Sequence, residues 1–183
     1  YWIPLGAGQR VVRISGAIYE ALTAARDRRP RRRLYHAALV VDLPDGTVAI
    51  EAAPVPDTDG QARGVVAAGP VGLRWLGRLR IFRYEVRCWT NGVIPDLIYA
   101  VTTIPLPLDG PAITRLLESL PEVPTPVWGR DELQTGDMWN SNSVVAWALT
   151  RAGLDCRELE LPQGGRAPGW HAGRVAADVA TRS

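Results

Sequence analysis

The stretch WNSNSVVAWAL, residues 139–149, places short polar side chains in front of an apolar run that is typical of a helix. With Asn140 as N-cap, Ser141 is the first helical residue, where unpaired backbone N–H groups meet the positive end of the helix dipole. These groups would favour an alkoxide and the oxyanion that follows its attack on a carbonyl. Ser and Asn are also the residues that helix caps prefer. The motif therefore fits either a plain cap or a nucleophile at Ser141.

The two histidines of the chain lie in different settings. His36 lies within the apolar run of residues 34–41, where an imidazole needs a hydrogen-bond partner or stays neutral. It is therefore either a general base or a core histidine satisfied by the backbone. His171 lies in the glycine-flanked sequence PGWHAG, which indicates an exposed side chain.

Glu51 is the charged residue of the otherwise apolar strip VAIEAAP. The turn-forming sequence DLPDG precedes this strip, so the two apolar runs predict a β-hairpin. If residues 42–45 form the loop, Glu51 lies opposite His36 with their Cβ atoms about 4.5–5.5 Å apart. If residues 45–46 alone form the loop, Glu51 lies opposite Val40. Both loops place Glu51 and His36 on the same face of the hairpin.

The elements that must position these residues follow from periodicity and turn signals. The strand at 80–89 has a charged face and an apolar face apart from Ile81, with Cys88 directed inwards. Helices packed on antiparallel strands predict an α+β fold. The expected helices are 17–25, capped by Ser15, 111–120, 141–152 and 172–180, and the expected strands are 34–41, 47–52, 64–68, 80–89 and 99–105.

Two separated motifs resemble those of the lecithin:retinol acyltransferase-like proteins, which belong to the circularly permuted NlpC-like group of papain folds. The first is the hairpin from His36 to Pro54, with His36-x-Ala38 on one strand and Val48-x-Ile50-Glu51 on the other. The second, NSNSVV at 140–145, is similar to that family's Asn-Cys-x-His-Phe-Val nucleophile motif. The histidine comes first and the nucleophile last, as in a permuted chain. No match extends over residues 55–138.

The resemblance implies a single permuted papain-like domain over residues 1–183, in which an antiparallel sheet packs against the nucleophile helix. It implies a hydrolase or acyltransferase that acts on an amide or ester bond through an acyl-Ser141 intermediate. His36 would then be the general base and Glu51 the group that orients it. The neighbouring residues that we expect to contact the substrate are Asn140, Asn142, Trp139, Tyr35 and Trp170.

The family has cysteine where this chain has Ser141. Serine must lose its proton to a base during attack, whereas cysteine is partly thiolate near neutral pH. One alternative is a working Ser-His-Glu site, in which a carboxylate fixes the histidine tautomer. A second is an inactive domain that binds a ligand or partner in the same cleft, and a third is an engineered replacement of cysteine by serine.

Composition excludes several classes of protein. A chain of 183 residues with 46% hydrophobic and 22% charged residues fits one domain around one core. No apolar run is long enough to span a membrane, and the N-terminus does not resemble a signal peptide, so we expect a cytoplasmic protein. Because the chain begins at Tyr1, export followed by processing stays open. No Cys/His spacing indicates a metal site, and no cofactor is expected.

All 21 basic residues are arginines, a composition typical of GC-rich bacterial coding. Six of them crowd into residues 26–33, where no aromatic residue interleaves them for base stacking. We therefore expect a solvated loop and no nucleic-acid partner. Cys88 in a strand and Cys156 after a helix C-terminus lack a feature that would stabilise a thiolate, so both are predicted to be structural. The expected partner is a small-molecule, lipid or peptide substrate.

Overall fold

The computed structural model describes residues 1–7, 10–54 and 64–181, which form seven strands and four α-helices. Helices and strands mix along the chain, which confirms the predicted α+β class. The strands are β1 (Trp2–Pro4), β2 (Arg33–Ala37), β3 (Leu39–Leu43), β4 (Gly46–Ala53), β5 (Val65–Pro70), β6 (Arg83–Thr90) and β7 (Gly165–Arg166). The helices are α1 (Arg10–Arg26), α2 (Gly110–Ser119), α3 (Ser141–Arg151) and α4 (Trp170–Thr181).

The strands form two sheets. One is antiparallel with the order β3-β4-β6-β5, and the other has the order β1-β2-β7, in which β7 runs parallel to β2. The predicted strand at 34–41 is therefore two strands that belong to different sheets. The chain passes between them at Ala38, whose N–H donates to the carbonyl of Tyr1 at 3.1 Å. This junction places His36 in the small sheet and the hairpin in the large one.

The hairpin of β3 and β4 turns at residues 44–45, which is neither of the two predicted loops. The ladder with β3 ends at Ile50, so Glu51 has its cross-strand partner on the other side, at Arg87 of β6. His36 is paired with Ile3 of β1. Both predicted registers are wrong, because the break at Ala38 separates the histidine strand from the hairpin.

Helix α3 lies in the middle of the core, between the large sheet and helices α2 and α4. Residues 142–149 are all buried, so the helix is enclosed on every side. Gly173 of α4 packs directly on α3, where a Cβ atom would overlap the Ser143 carbonyl. A helix enclosed in this way is held firmly, and its N-terminus has a fixed position.

The other face of the large sheet carries a smaller apolar cluster and an ion-pair group. Ile3, Ala38, Ala49 and Ile94 form the cluster. Arg87 is 2% exposed and lies between two carboxylates on the same face. The charged face predicted for the strand at 80–89 is thus partly buried, and the strand itself begins only at residue 83.

The other predicted elements are found within a few residues of their expected bounds, with two exceptions. Helix α1 begins at Arg10, so Ser15 lies inside the helix and does not cap it. The expected strand at 99–105 contributes an isolated bridge from Thr102 to Trp2, after a 3-10 helix at Pro95–Tyr99. No described helix combines the length and the apolar character needed to cross a membrane.

One member of the arginine run is part of a buried ion-pair group. Glu20 of α1 is 3% exposed, and its carboxylate accepts from Arg29 at 2.5 Å and from Arg166 at 3.1 Å. The backbone N–H of Arg32 adds a third donor at 2.8 Å. The hydrogen bond from Arg29 is the main reason that the pKa of Glu20 falls to about 2. The other arginines of residues 26–33 are exposed, as predicted.

Candidate active site

A cavity of about 440 Å³ opens between β2, the end of β4 and the N-terminus of α3. His36, Glu51 and Ser141, the three residues predicted to carry the chemistry, all line it. Of the residues predicted to contact a substrate, Tyr35, Asn140 and Asn142 also line it. Three distant parts of the chain therefore meet at one cavity.

Capping and chemistry are divided between Asn140 and Ser141. The Asn140 side chain accepts from the N–H of Asn142 at 2.9 Å, and the Asn140 N–H donates to Ser143 Oγ at 3.0 Å. This capping box confirms Asn140 as the N-cap. Within the described part of the chain, neither the hydroxyl nor the N–H of Ser141 makes a hydrogen bond. Both groups can therefore act on a molecule in the cavity.

Asn142 holds the histidine strand against the start of α3. Its side chain is 2% exposed, and its Oδ1 accepts from the N–H of Ala37 at 2.7 Å. Its amide group donates to the carbonyls of Tyr35 at 3.0 Å and of Pro168 at 2.8 Å. Because Tyr35 and Ala37 flank His36, this one carboxamide fixes the histidine relative to Ser141. Sequence reasoning predicted only a substrate contact at Asn142.

The segment around Gly169 buttresses the same helix start. Asn140 Nδ2 donates to the Pro168 carbonyl at 2.9 Å, and Ser143 Oγ donates to the Gly169 carbonyl at 2.8 Å. The Gly169 N–H donates to the carboxylate of Asp137 at 2.7 Å. Gly169 has φ +88°, and a Cβ atom there would overlap the Asn140 side chain, so glycine is required. The glycine-rich sequence before Trp170 is therefore a structural support.

The two tryptophans predicted to contact the substrate lie away from this cavity. Trp139 is 1% exposed and belongs to the hydrophobic core. Trp170 lines a separate cavity of about 370 Å³, where its ring lies 5.0 Å from that of Trp2. Its Nε1 donates to the carbonyl of Cys156 at 3.1 Å. The structure therefore places neither tryptophan at the candidate active-site cavity.

His36 is mostly buried and has a carboxylate beside it. Burial lowers the pKa of His36, while the negative charge of Asp96 opposes that change. The distance from His36 Nε2 to Asp96 Oδ2 is 3.9 Å, which is too long for a direct hydrogen bond. None of the described residues hydrogen-bonds the ring, so the described part of the chain gives His36 no backbone partner. A neutral imidazole facing the cavity can accept a proton.

Glu51 has a different ionic partner from the one predicted. Its carboxylate lies 3.8 Å from the guanidinium of Arg87, which also binds Glu85 at 2.9 Å. Among the described carboxylates, that of Asp96 is the one within 4 Å of the His36 ring. Asp96 lies in a 3-10 helix that the sequence did not predict, and no local pattern connects it with His36.

Among the described residues, the charged side chains that line the cavity are both acidic. Glu51 and Asp96 line it, and no arginine among the described residues does. The remaining wall is largely apolar and includes Leu34, Ile94 and Trp128. Such a lining suits a neutral or cationic molecule with apolar parts, and it disfavours a phosphate or carboxylate near the two acids.

The two cysteines are unsuited to be the nucleophile. Burial raises the pKa of both the Cys88 and the Cys156 thiol. Neither is among the residues that line the cavity. In the described ranges, no group of three or more His, Cys, Asp or Glu residues is arranged to hold a metal ion. His171 is exposed on the first turn of α4, as predicted.

Comparison of the chain with protein-family models, with curated proteins and with solved structures finds no match. The residues of the site provide a hydroxyl at a helix N-terminus, a neutral imidazole and a free backbone donor around one cavity. This combination is suited to nucleophilic attack on a carbonyl.

Proposed function

We propose that the protein is a hydrolase or acyltransferase of the permuted papain-like type, which acts on an amide or ester bond through an acyl-Ser141 intermediate. The observation that carries the proposal is that Ser141 and the neutral His36 line one cavity, with Asn142 joining their two elements. The order of the motifs and the packing of a sheet against α3 support the fold assignment. The fixed start of α3 supports a preorganised site.

In the first half of the reaction, Ser141 Oγ attacks the substrate carbonyl carbon while His36 takes the hydroxyl proton. The resulting oxyanion is stabilised by the Ser141 N–H and the positive end of the α3 dipole. His36 then gives its proton to the leaving amine or alcohol as the bond to the carbonyl carbon breaks. Water, or an acceptor hydroxyl or amine, subsequently attacks the acyl-enzyme with His36 again as base.

We assign the orienting role to Asp96 instead of Glu51. Asp96 faces Nε2 of His36, so its charge favours the tautomer that carries the proton on Nε2. The lone pair for the Ser141 proton is then on Nδ1. Glu51 is engaged with Arg87, and its contribution is to hold the strand end that lines the cavity.

A second candidate function is ligand binding without catalysis in the same cavity. It is favoured by the absence of a hydrogen bond from the Ser141 hydroxyl to the His36 ring among the described residues. Hydrogen bonds between catalytic groups are often long before the substrate binds, so this observation does not outweigh the first proposal. A ligand that binds without turnover would distinguish the two.

Hydrolysis of uncharged activated esters such as p-nitrophenyl acetate tests the proposal. We expect a burst of product from acylation of Ser141, followed by slower turnover. Ser141→Ala and His36→Ala should both abolish the burst. Ser119→Ala is the control, because this buried serine of α2 donates to the carbonyl of Leu116 and is not among the residues that line the cavity. A burst retained in Ser141→Ala would refute the proposal, and saturable ester binding without any burst would favour the binding domain.

A further inference from the structure

The connection between β5 and β6, residues 71–82, exposes several large apolar side chains. Trp75 and Ile81 are each 66% exposed, and Leu79 is 54% exposed. Single exposed apolar side chains are ordinary on soluble proteins, but a cluster in one short segment indicates an interaction site.

The backbone that carries these exposed apolar side chains is ordered. Two 3-10 helices, Arg74–Arg78 and Arg80–Phe82, form the loop, and the N–H of Leu79 donates to the carbonyl of Leu76 at 2.9 Å. The loop is closed at its base, where the N–H of Val71 donates to the carbonyl of Phe82 at 2.7 Å. The apolar side chains therefore project from a defined platform.

Arginines interleave the apolar residues of this platform. Arg74, Arg78, Arg80 and Arg83 are all exposed, and no acidic residue occurs between positions 71 and 83. Arg74 pairs with Glu132 at 2.7 Å, but the Arg74 side chain is 73% exposed, so this ion pair is weak. The segment combines positive charge with apolar insertion groups, and we call residues 71–82, together with Arg83 at the start of β6, the basic-apolar loop.

The loop is joined to the wall of the candidate active-site cavity. The N–H of Trp128, a residue that lines the cavity, donates to the carbonyl of Pro70 at 2.9 Å. Arg130 Nε donates to the carbonyl of Gly72 at 2.8 Å. A partner that binds the loop would therefore lie beside the cavity.

We propose that the basic-apolar loop docks the protein onto a membrane surface that contains anionic lipids. Indole rings favour the membrane–water interface, aliphatic side chains insert at the acyl boundary, and arginines bind the lipid phosphates. Aliphatic side chains give bases no surface to stack on, and Trp75 is the loop's one strongly exposed aromatic residue, so nucleic acid fits less well. This inference does not depend on the proposed catalytic function.

Sedimentation with vesicles tests the proposal, using phosphatidylcholine alone or mixed with phosphatidylglycerol at about three to one. We expect the protein to bind the anionic vesicles and to dissociate from them as the salt concentration increases. We expect no binding to the neutral vesicles. Because each arginine near an anionic membrane strengthens binding about fivefold, Arg78→Gln with Arg80→Gln should weaken it about 25-fold. Trp75→Ser with Ile81→Ser should weaken it at least about tenfold.

Two matched control variants remove exposed apolar side chains or arginines that lie outside the basic-apolar loop. Val93→Ser with Ile98→Ser removes side chains that are 78% and 81% exposed, and Arg31→Gln with Arg33→Gln removes charge from the other arginine run. Both control variants, and Ser141→Ala, should bind vesicles like the wild type. Loss of binding in the Arg31/Arg33 variant with retention in the Trp75/Ile81 variant would overturn the proposal.

Fluorescence quenching by brominated lipids tests separately whether Trp75 inserts into the membrane. Bromine in the acyl chain should quench tryptophan fluorescence in the wild type, and most of that quenching should disappear in Trp75→Phe, which keeps an apolar ring. No binding to anionic vesicles would overturn the proposal. Tighter binding to a DNA duplex than to anionic vesicles, weakened by the Arg78/Arg80 variant, would assign the loop to nucleic acid instead.

Discussion

The side-chain oxygen of Asn142 accepts a hydrogen bond at 2.7 Å from the N–H of Ala37, a residue 105 positions away in the chain. The amide of the same side chain donates to the carbonyl of Tyr35. His36 lies between these two backbone contacts, and Ser141 directly precedes Asn142. One buried carboxamide thus sets the separation of the two groups that we propose carry the reaction.

Asn142→Asp should disrupt this arrangement with almost no change in shape. A carboxylate can still accept from Ala37, but it cannot donate to the carbonyls of Tyr35 and Pro168. We expect a loss of about 3 kcal/mol in the free energy of unfolding, measured by urea denaturation, and a loss of activity beyond the unfolded fraction. Ser143→Ala is the control, because it weakens the capping box but keeps the strand contacts. Full activity in folded Asn142→Asp would show that the clamp is dispensable.

The rate of acylation should follow the protonation of His36. Burial lowers the pKa of His36 below its usual value, and the neutral form is the active one. The value of kcat/KM should therefore rise with pH below about 6.5 and be level at neutral pH. Stopped-flow measurement of the ester burst across pH gives the profile. A rise centred above neutral pH would contradict the assignment of His36 as the base.

Asp96→Asn and Glu51→Gln distinguish the two carboxylates. The charge of Asp96 raises the His36 pKa against the larger effect of burial, so its removal should move the acid limb to lower pH and reduce the rate. Glu51→Gln should lower stability through the loss of its pairing with Arg87 and leave that limb in place. The reverse pattern would return the orienting role to Glu51.

Ser141→Cys should create a reactive thiol. The helix N-terminus and the nearby histidine lower a thiol pKa, whereas burial raises the pKa of Cys88 and of Cys156. Iodoacetamide at neutral pH should therefore alkylate position 141 well before the two native cysteines, as read by peptide mass spectrometry. His36→Ala in the same background should slow this reaction. Equal labelling of all three positions would argue against an activating site.

The ion pairs of Glu20 should make the free energy of unfolding depend on pH in the acid range. Its pKa is about 2 in the folded protein against 4.5 as the ordinary value, so its stabilisation is complete above pH 4.5 and is lost as the pH falls towards 2. Glu20→Gln should cost about 3 kcal/mol at neutral pH and flatten the acid dependence. Glu118→Gln, at an exposed position on α2, is the control for thermal unfolding across pH. An unchanged acid dependence in Glu20→Gln would contradict this account of the ion-pair group.

Local signals predicted the parts of the fold that they control directly. Asn140 and the apolar residues behind it predicted the cap and the start of α3, because capping depends on a few neighbouring residues. The sequence DLPDG predicted the hairpin. The predicted elements of His36, a strand, and of Ser141, a helix start, agree with the structure.

Features that depend on long-range contacts were not predictable in the same way. The apolar run at 34–41 has no local break, and its division at Ala38 arises because β2 pairs with β1 and with β7, far along the chain. Asp96 lies close to His36 because of where the 3-10 helix at Pro95–Tyr99 packs. No periodic pattern in the sequence predicts that helix. The sequence does not distinguish Trp139, which is buried in the core, from Trp170, which lines a separate cavity, because that difference depends on how the helices pack.

The proposed mechanism requires that Ser141 is a nucleophile activated by His36, and a fluorophosphonate probe measures that reactivity at the serine itself. Peptide mass spectrometry should find a single adduct on Ser141 in the wild type, no adduct there in Ser141→Ala and a much slower reaction in His36→Ala. Asn142→Asp should react more slowly even where it is folded. A wild-type protein that is folded and stays unlabelled, or an adduct that persists in Ser141→Ala, would contradict the claim.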